Sequence, residues 1–136
     1  MAYYQQPQDV TTLPAWQALQ QHRAEMAGFS MREAFAADTR RYQRFSLDSC
    51  GLLLDYSKNL IDERGLELLI QLAEQAGLQE SIANLYNGER VNASEGRAAL
   101  HTALRSPIGR RLLVDGNDII PEVHRVLNQV TELVSR

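Results

Sequence analysis

Hydrophobic residues recur at intervals of three and four along much of the chain, the spacing that places side chains on one face of an α-helix. The first such segment begins at Pro14, a favourable first helical residue, and ends near Gly28. Its predicted inward face consists of Ala15, Leu19, His22 and Met26. Ahead of it, residues 1–12 are polar and unpatterned, which predicts an extended arm.

A capping box marks the start of the next helix. Ser30 is followed three residues later by Glu33, so the two side chains can satisfy the free amides of a first turn. The pattern predicts a short helix with Met31, Ala34 and Phe35 on its apolar face. Asp38 then caps another turn or two, which carries Tyr42 and Phe45 inward.

The pattern changes at CGLLLDYSKN, residues 50–59, where apolar residues are continuous rather than periodic. A continuous run of this length indicates a strand covered on both faces, as in α/β proteins. Cys50 at its start is interpreted as a small buried hydrophobic residue. Such a strand needs parallel neighbours, and no second clear candidate follows.

The second half of the chain predicts four more elements. Asp62 caps a helix that Gly77 ends in the C′ position, and residues 79–87 form a shorter helix that Gly88 ends. A third helix covers residues 93–105, because Pro107 forbids its continuation. Asp115-Gly116 predicts a hairpin turn within residues 111–120. The predicted inward residues are Leu66, Leu69, Ile70 and Ala73 in the first helix, and Ile82, Leu85 and Tyr86 in the second.

Pro121 opens the last predicted helix, with an apolar stripe of Val123, Val126, Leu127, Val130 and Val134. The chain stops inside this pattern without a Gly, Asn or Pro stop signal. Together with the unpaired strand, this favours a segment of a longer protein.

Composition narrows the function classes. The 136 residues carry a net charge of −3 with 44% hydrophobic residues, as in soluble globular proteins. Lys58 is the single lysine among scattered arginines, so the basic patch of a duplex-binding protein is missing. One cysteine excludes an internal disulfide and a cysteine-rich zinc site. Without a signal-peptide core or a run of 18 apolar residues, a cytoplasmic location is expected.

The strongest candidate site is an anion-binding face in VNASEGRAALHTALRSP, residues 91–107. On the predicted helix, Arg97, His101 and Arg105 fall at i, i+4 and i+8, and stacked like charges are unfavourable unless something compensates them. Guanidinium groups suit phosphate through paired hydrogen bonds. The alternative is that both arginines pair with carboxylates and His101 is an ordinary helix histidine.

The other candidate sites have weaker support from the sequence. His22 and Glu25 supply at most two metal ligands, and His124 beside Glu122 fares no better. Lys58 follows a strand, where α/β proteins often place functional groups. No dinucleotide, P-loop, nucleophile-elbow or zincin motif occurs, so no catalytic constellation can be assembled from the residues alone.

Three blocks, LLLDYSKNLI (52–61), VNASEGRAALHTALR (91–105) and VDGNDIIPEVHRVL (114–127), together resemble the amino-terminal part of the glucose-6-phosphate isomerase (phosphoglucose isomerase) family. PAWQAL (14–19) precedes them. The resemblance covers the chain from about residue 10 to its end. It departs only at Ala93-Ser94, where the family often has another residue and threonine, and serine supplies an equivalent hydroxyl.

The resemblance implies a cytoplasmic, homodimeric aldose–ketose isomerase of glycolysis and gluconeogenesis, with an αβα sandwich (SIS-like) fold and no metal or organic cofactor. Its sugar phosphate substrate reacts through a cis-enediol. The whole of residues 1–136 is then an incomplete amino-terminal segment, mostly helical with one strand and a hairpin. The family's catalytic groups and phosphate loop lie downstream, so no residue here is assigned as catalytic, substrate-binding or metal-binding.

Two other functions stay open at this point. The chain could be a non-catalytic module that binds a phosphorylated ligand through Arg97, His101 and Arg105. It could also be a structural fragment that associates with itself through uncovered apolar stripes, because large apolar patches seldom stay exposed. Neither alternative involves nucleic acid or a membrane.

Overall fold

A computed structural model describes residues 9–135, which form two compact units, residues 9–76 and residues 77–135. The predicted arm therefore lies outside the described residues up to residue 8, and its last residues, Val10–Thr12, form a 3₁₀ helix capped by Asp9 and not an extended segment. Among the described residues, no helix is long and apolar enough to cross a membrane. The elements, in order, are α1 Pro14–Glu25, α2 Met31–Ala37, α3 Arg41–Arg44, β1 Ser46–Ser49, β2 Leu52–Asp55, α4 Glu63–Gln75, α5 Leu78–Tyr86, β3 Leu113–Val114, β4 Asn117–Asp118 and α6 Ile120–Val134.

Helices α1 and α4 pack against each other to form the first unit. Leu68 is 2% exposed, and burying a leucine this completely is worth about 1.5–3 kcal/mol. The backbone amide of Ala15 donates to Gln75 Oε1 at 3.0 Å, which ties the start of α1 to the end of α4. The predicted start of α1 and the Asp62 cap of α4 are confirmed. The predicted face of α4 is shifted, since Leu69 and Ile70 are exposed.

The predicted cap of α2 is present, but the N-cap of α3 is Arg40 and not the predicted Asp38, whose Oδ1 instead accepts from the Arg40 amide at 2.9 Å. Not every predicted inward residue is buried. Ser30 Oγ accepts a hydrogen bond from the Glu33 amide, as the capping box requires. Phe45 is 3% exposed, whereas Tyr42 is 43% exposed. Helix α3 is only one turn long, so it directs a single aromatic side chain into the core.

The predicted strand within residues 50–59 is present as β2, but its expected parallel neighbours are not: β1 and β2 form an antiparallel hairpin, and β2 has no parallel neighbour among residues 9–135. Cys50 and Gly51 make the turn with φ values of 54° and 75°. Two successive left-handed residues are what a two-residue hairpin turn of the primed type requires. Cys50 is therefore exposed at the turn, not buried at a strand start.

The second unit has a small core beside a hairpin. Ala103, Leu112 and Ile120 are its buried hydrophobic residues. The predicted Asp115-Gly116 turn is confirmed, with φ values of 51° and 82° between β3 and β4. Ile82 and Tyr86 on α5 and most of the α6 stripe were predicted to face inward, but they are exposed.

The predicted helix over residues 93–105 is also wrong. Residues 92–97 form a turn closed by two backbone hydrogen bonds between Asn92 and Arg97, of 3.0 and 3.2 Å. Only Leu100–Arg105 is helical, and it is a 3₁₀ helix. Gly96 has a φ of 63°, a conformation that a right-handed helix cannot contain and that glycine adopts at no steric cost.

Candidate functional site

The structure does not bring Arg97, His101 and Arg105 onto one face. Arg97 lies at the end of the turn, while His101 and Arg105 lie on the 3₁₀ helix. With 3.0 residues per turn, positions four apart point about 120° away from each other. All three side chains are exposed, and none makes a hydrogen bond to the rest of the described chain. Anion binding by this row stays a prediction without an assembled site.

Asn92 forms the predicted cap, but it caps a turn. Its Oδ1 accepts from the Ser94 hydroxyl at 2.9 Å and from the Glu95 amide at 3.4 Å. Its side-chain amide in turn donates to Glu95 Oε2 at 3.4 Å. The Asn92/Glu95 spacing therefore predicts the local hydrogen bonding correctly but not the helix, because Asn side chains stabilise turns as well as helix starts.

Arg97 borders a groove of about 430 Å³ that also contains an ion pair. There Arg90 Nη2 lies 2.8 and 2.9 Å from the two carboxylate oxygens of Asp115. Glu95 lines the same groove beside Arg97. Two carboxylates thus accompany the two guanidinium groups, and the groove has no excess positive charge with which to attract a phosphate.

A second groove, of about 510 Å³, contains His124. His124 Nε2 lies 3.1 Å from the Ser106 carbonyl oxygen, a geometry in which the ring nitrogen donates. Arg125 on the same wall is held by Glu122, at 2.8 Å from Nε and 2.5 Å from Nη2, and these hydrogen bonds lower the pKa of Glu122. The predicted weakness of His124 and Glu122 as metal ligands is consistent with these other partners.

The most elaborate polar site in the described chain surrounds Arg41, which sequence analysis missed. Arg41 is 4% exposed. Its Nε donates to the Ser57 carbonyl at 2.8 Å. Its Nη2 donates to the carbonyls of Asn59 and Ile61, at 3.1 and 2.8 Å. One guanidinium group therefore gathers three alternate carbonyls of the loop between β2 and α4, residues 56–62, which we call the 56–62 loop.

Three phenylalanine rings complete the surroundings of Arg41. Its guanidinium carbon lies 4.5 Å from the ring centre of Phe45, 5.6 Å from that of Phe29 and 5.7 Å from that of Phe35. A cation is attracted to aromatic faces within about 6 Å, by roughly 2 kcal/mol or more when desolvated. The available signal in the sequence is Phe45 four residues after Arg41, but arginines are usually exposed.

Asp55 and Ser57 fix the start of the same loop. Asp55 Oδ1 accepts from the Ser57 hydroxyl at 2.7 Å and from the Ser57 amide at 2.9 Å. These two bonds stabilise the ionised carboxylate and lower the pKa of Asp55. Lys58, the candidate from its position after the strand, is exposed and makes no side-chain hydrogen bond within the described residues.

His22 is the second partly buried ionisable group at this end of the first unit. Its Nε2 lies 2.8 Å from Asp62 Oδ1, and its Nδ1 lies 3.4 Å from Glu25 Oε2. The hydrogen bond to Asp62 raises the pKa of His22, against the effect of burial. Burial alone would raise the pKa of Asp62, but hydrogen bonds from the Gly65 amide and His22 outweigh it and lower that pKa.

These contacts explain why His22 and Glu25 do not make a metal site. Separate carboxylates occupy the two ring nitrogens, and the nitrogens point in different directions. Within residues 9–135, no three His, Cys, Asp or Glu side chains are placed to hold a metal ion. The pair instead connects α1 to the cap of α4, because Asp62 Oδ1 also accepts from the Gly65 amide at 2.7 Å.

Comparison with known proteins places this architecture in a family. The sequence model of the family described as phosphoglucose isomerase matches residues 55–136. The chain belongs to the phosphoglucose isomerase family. The match includes the whole 56–62 loop and both later blocks on which the resemblance depends, so the family assignment made from sequence is confirmed.

Curated relatives agree with the family. The chain is 90% identical over its full length to a protein named glucose-6-phosphate isomerase from Ectopseudomonas mendocina (strain ymp). It is 65% identical to the protein of that name from Pseudomonas putida (strain W619) and 62% identical to that from Pseudomonas fluorescens (strain SBW25). In each comparison the whole chain is aligned, and it spans 24% of the relative's length.

Proposed function

We propose that this chain is the amino-terminal part of a glucose-6-phosphate isomerase, which interconverts glucose 6-phosphate and fructose 6-phosphate by proton transfer through a cis-enediol. The 90% identity over all 136 residues to a relative of that name carries the proposal. The activity belongs to the full-length enzyme, in glycolysis and gluconeogenesis, as a homodimer in the cytoplasm.

In this proposal the chain supplies scaffold and no catalytic group. Isomerisation by proton transfer needs a base placed within hydrogen-bond reach of the substrate carbon and donors aimed at the enediolate oxygen. His22 and Asp62 are engaged with each other, and Arg41 is engaged with backbone carbonyls. The chain alone is accordingly inactive, and its part is to hold the 56–62 loop and the two hairpins in place.

Arg97 and His101 have a supporting role in the same proposal. Both side chains are exposed and without hydrogen bonds in the described chain, although they belong to a block that matches the family. We assign them to contacts with the remaining polypeptide of the full-length enzyme, where hydrogen bonds and ion pairs would orient the active-site region.

A coupled assay of fructose 6-phosphate conversion tests the activity. The 136-residue chain is compared with the same chain extended along its native reading frame to the length of its relatives. Activity in the extended protein alone is the expected result. Activity in neither would contradict the isomerase proposal, and turnover by the 136-residue chain would contradict the scaffold role.

A further inference from the structure

Asn87-Gly88 stands at the end of α5 and carries chemistry that the proposed function does not use. The chain has six asparagines, and only Asn87 precedes a glycine. The backbone nitrogen after an asparagine can attack the side-chain amide carbon and expel ammonia, which leaves a five-membered succinimide. Water then opens that ring to aspartate or isoaspartate. A following glycine favours the attack because it has no Cβ to obstruct it.

The structure leaves the Asn87 side chain available. Asn87 is the C-cap residue of α5, is exposed, and makes no side-chain hydrogen bond to any part of residues 9–135. Asn59 and Asn117 are also exposed, but each is followed by a residue that has a Cβ, Leu60 or Asp118. Asn84 and Asn128 lie inside helices, and the side chain of Asn92 is committed to its turn.

The attacking nitrogen is also weakly held. Helix α5 ends in a Schellman motif, in which the Glu89 amide donates to the Asn84 carbonyl at 3.0 Å. The companion bond, from the Gly88 amide to the Leu85 carbonyl, is 3.4 Å long. Ring closure requires the backbone of Asn87 to rotate away from its ψ of 0°, which takes place when the end of α5 frays.

We propose that Asn87 is a site of spontaneous deamidation, and that it is the first asparagine of the folded chain to be converted. The Gly88 nitrogen bonds to the Asn87 side-chain carbon, ammonia leaves, and one water molecule is consumed in opening the ring. The products are aspartate and isoaspartate at position 87. The inference does not depend on the proposed enzyme activity.

Deamidation of Asn87 should lower the stability of the second unit. A carboxylate at the carboxyl end of a helix opposes the helix dipole. Isoaspartate also adds a methylene group to the main chain next to Gly88, whose surroundings are tight. A Cβ on Gly88 would lie 3.1 Å from Val114 Cγ2 and 3.2 Å from the Leu113 carbonyl oxygen, so the lengthened main chain would disturb the contact between the end of α5 and β3.

The test is to age the purified chain in mildly alkaline buffer made with heavy-oxygen water, followed by peptide mass spectrometry. The peptide containing Asn87 should gain one heavy oxygen and lose its amide before the peptides containing Asn59, Asn92 and Asn117 change. Electron-transfer fragmentation should find isoaspartate as well as aspartate at position 87. Equal or faster conversion at any other asparagine would overturn the proposal.

Two variants separate the chemistry from the folding. Asn87→Gln should stop conversion at position 87, because its longer side chain closes a six-membered ring much more slowly, while Asn117→Gln should leave the rate at Asn87 unchanged. Asn87→Asp should lower the melting temperature of the unaged chain in the same direction as ageing lowers that of the parent. Ageing of Asn87→Gln that lowers the melting temperature equally would show that deamidation at this residue is not responsible.

Discussion

Arg41 is a positively charged side chain whose hydrogen-bond partners are backbone carbonyls, with no carboxylate among them. Aromatic rings complete its surroundings. Burying an uncompensated charge is costly. Here the guanidinium fork meets three carbonyl oxygens, and the phenylalanine rings add the negative face of their quadrupoles. The charge is tolerated because the backbone of the 56–62 loop is arranged around it, which makes loop and arginine mutually dependent.

Replacing Arg41 with methionine should destabilise the first unit strongly. Three carbonyls lose a charged donor, and hydrogen bonds to charged groups are each worth about 1.5–3 kcal/mol without being additive. We expect the free energy of unfolding to fall by about 3 kcal/mol or more, measured by urea denaturation. Arg40→Met, at the exposed neighbouring position, is the matched control and should change it by less than about 0.5 kcal/mol. Equal effects of the two substitutions would contradict this role for Arg41.

The contact between His22 and Asp62 should make stability depend on pH with a defined sign. The pKa of His22 is raised in the folded chain, so its contribution is complete below its unfolded value of about 6.5 and is lost as pH rises through the folded value. The pKa of Asp62 is lowered, so its contribution is present above about 3.9 and is lost as pH falls through the folded value. The pair therefore stabilises most between about pH 4 and 6.5.

His22→Gln tests this window. Its melting temperature should lie furthest below that of the parent near pH 5.5, about one unit below the unfolded value. The difference should shrink as pH rises through the raised pKa of His22, above which the ring is neutral in both states. His101→Gln removes an exposed histidine and is the matched control. The gap between its melting temperature and that of the parent should be the same at every pH tested. A deficit in His22→Gln that grows as pH rises would reverse the predicted sign.

At the scale of elements, the two hairpins show what the sequence could and could not predict. Asp115-Gly116 was recognised because Asp and Gly both accept left-handed backbone angles in a two-residue turn. Cys50-Gly51 makes the same kind of turn, but cysteine has no preference for left-handed backbone angles. The apolar pattern therefore predicts a continuous strand there. The prediction of a helix over residues 93–105 is wrong for the opposite reason. Its cap and spacing were favourable, and Gly96 in a left-handed conformation interrupts it.

Cys50→Asn should stabilise the β1–β2 hairpin. Asparagine accepts a φ near the observed 54° more readily than cysteine does. The free energy of unfolding should rise by roughly 0.5–1 kcal/mol, the equivalent of the several-fold enrichment of asparagine at such angles. Cys50→Val should lower it, because β-branched residues resist left-handed angles. Chemical denaturation of the three proteins checks the order, and an asparagine variant weaker than the parent would contradict it.

At the scale of the whole molecule, periodicity identified apolar stripes correctly without showing what covers them. Val126, Val130, Leu133 and Val134 on α6 are 44–80% exposed, and Leu52, Leu53 and Leu54 on β2 are 59–75% exposed. The expectation of a strand with parallel neighbours was physically reasonable, since an uninterrupted apolar strand needs cover on both faces. The described residues contain only an antiparallel partner for it. Which residues pack against an apolar stripe depends on contacts between segments far apart in sequence, and a local pattern cannot specify those contacts.

The uncovered stripes predict self-association of the 136-residue chain. Exposed apolar side chains are driven together by about 25 cal/mol for each Å² they remove from water. Sedimentation velocity over a range of concentrations should show the average mass rising with concentration. Val130→Glu should shift this rise to higher concentration, and Glu132→Gln, on the same helix, should not. A concentration-independent monomer for the parent chain would refute the prediction.

The partners of Arg41 all lie close to it along the chain. Ser57, Asn59 and Ile61 lie 16, 18 and 20 residues after it, and its three phenylalanines lie between residues 29 and 45. Contacts over short sequence separations close small loops and form quickly, and domains assemble from the amino-terminal side during synthesis. The contacts between Arg41 and the 56–62 loop can therefore form while later residues are still being added. Polypeptide that is synthesised afterwards then packs against a surface that has already folded.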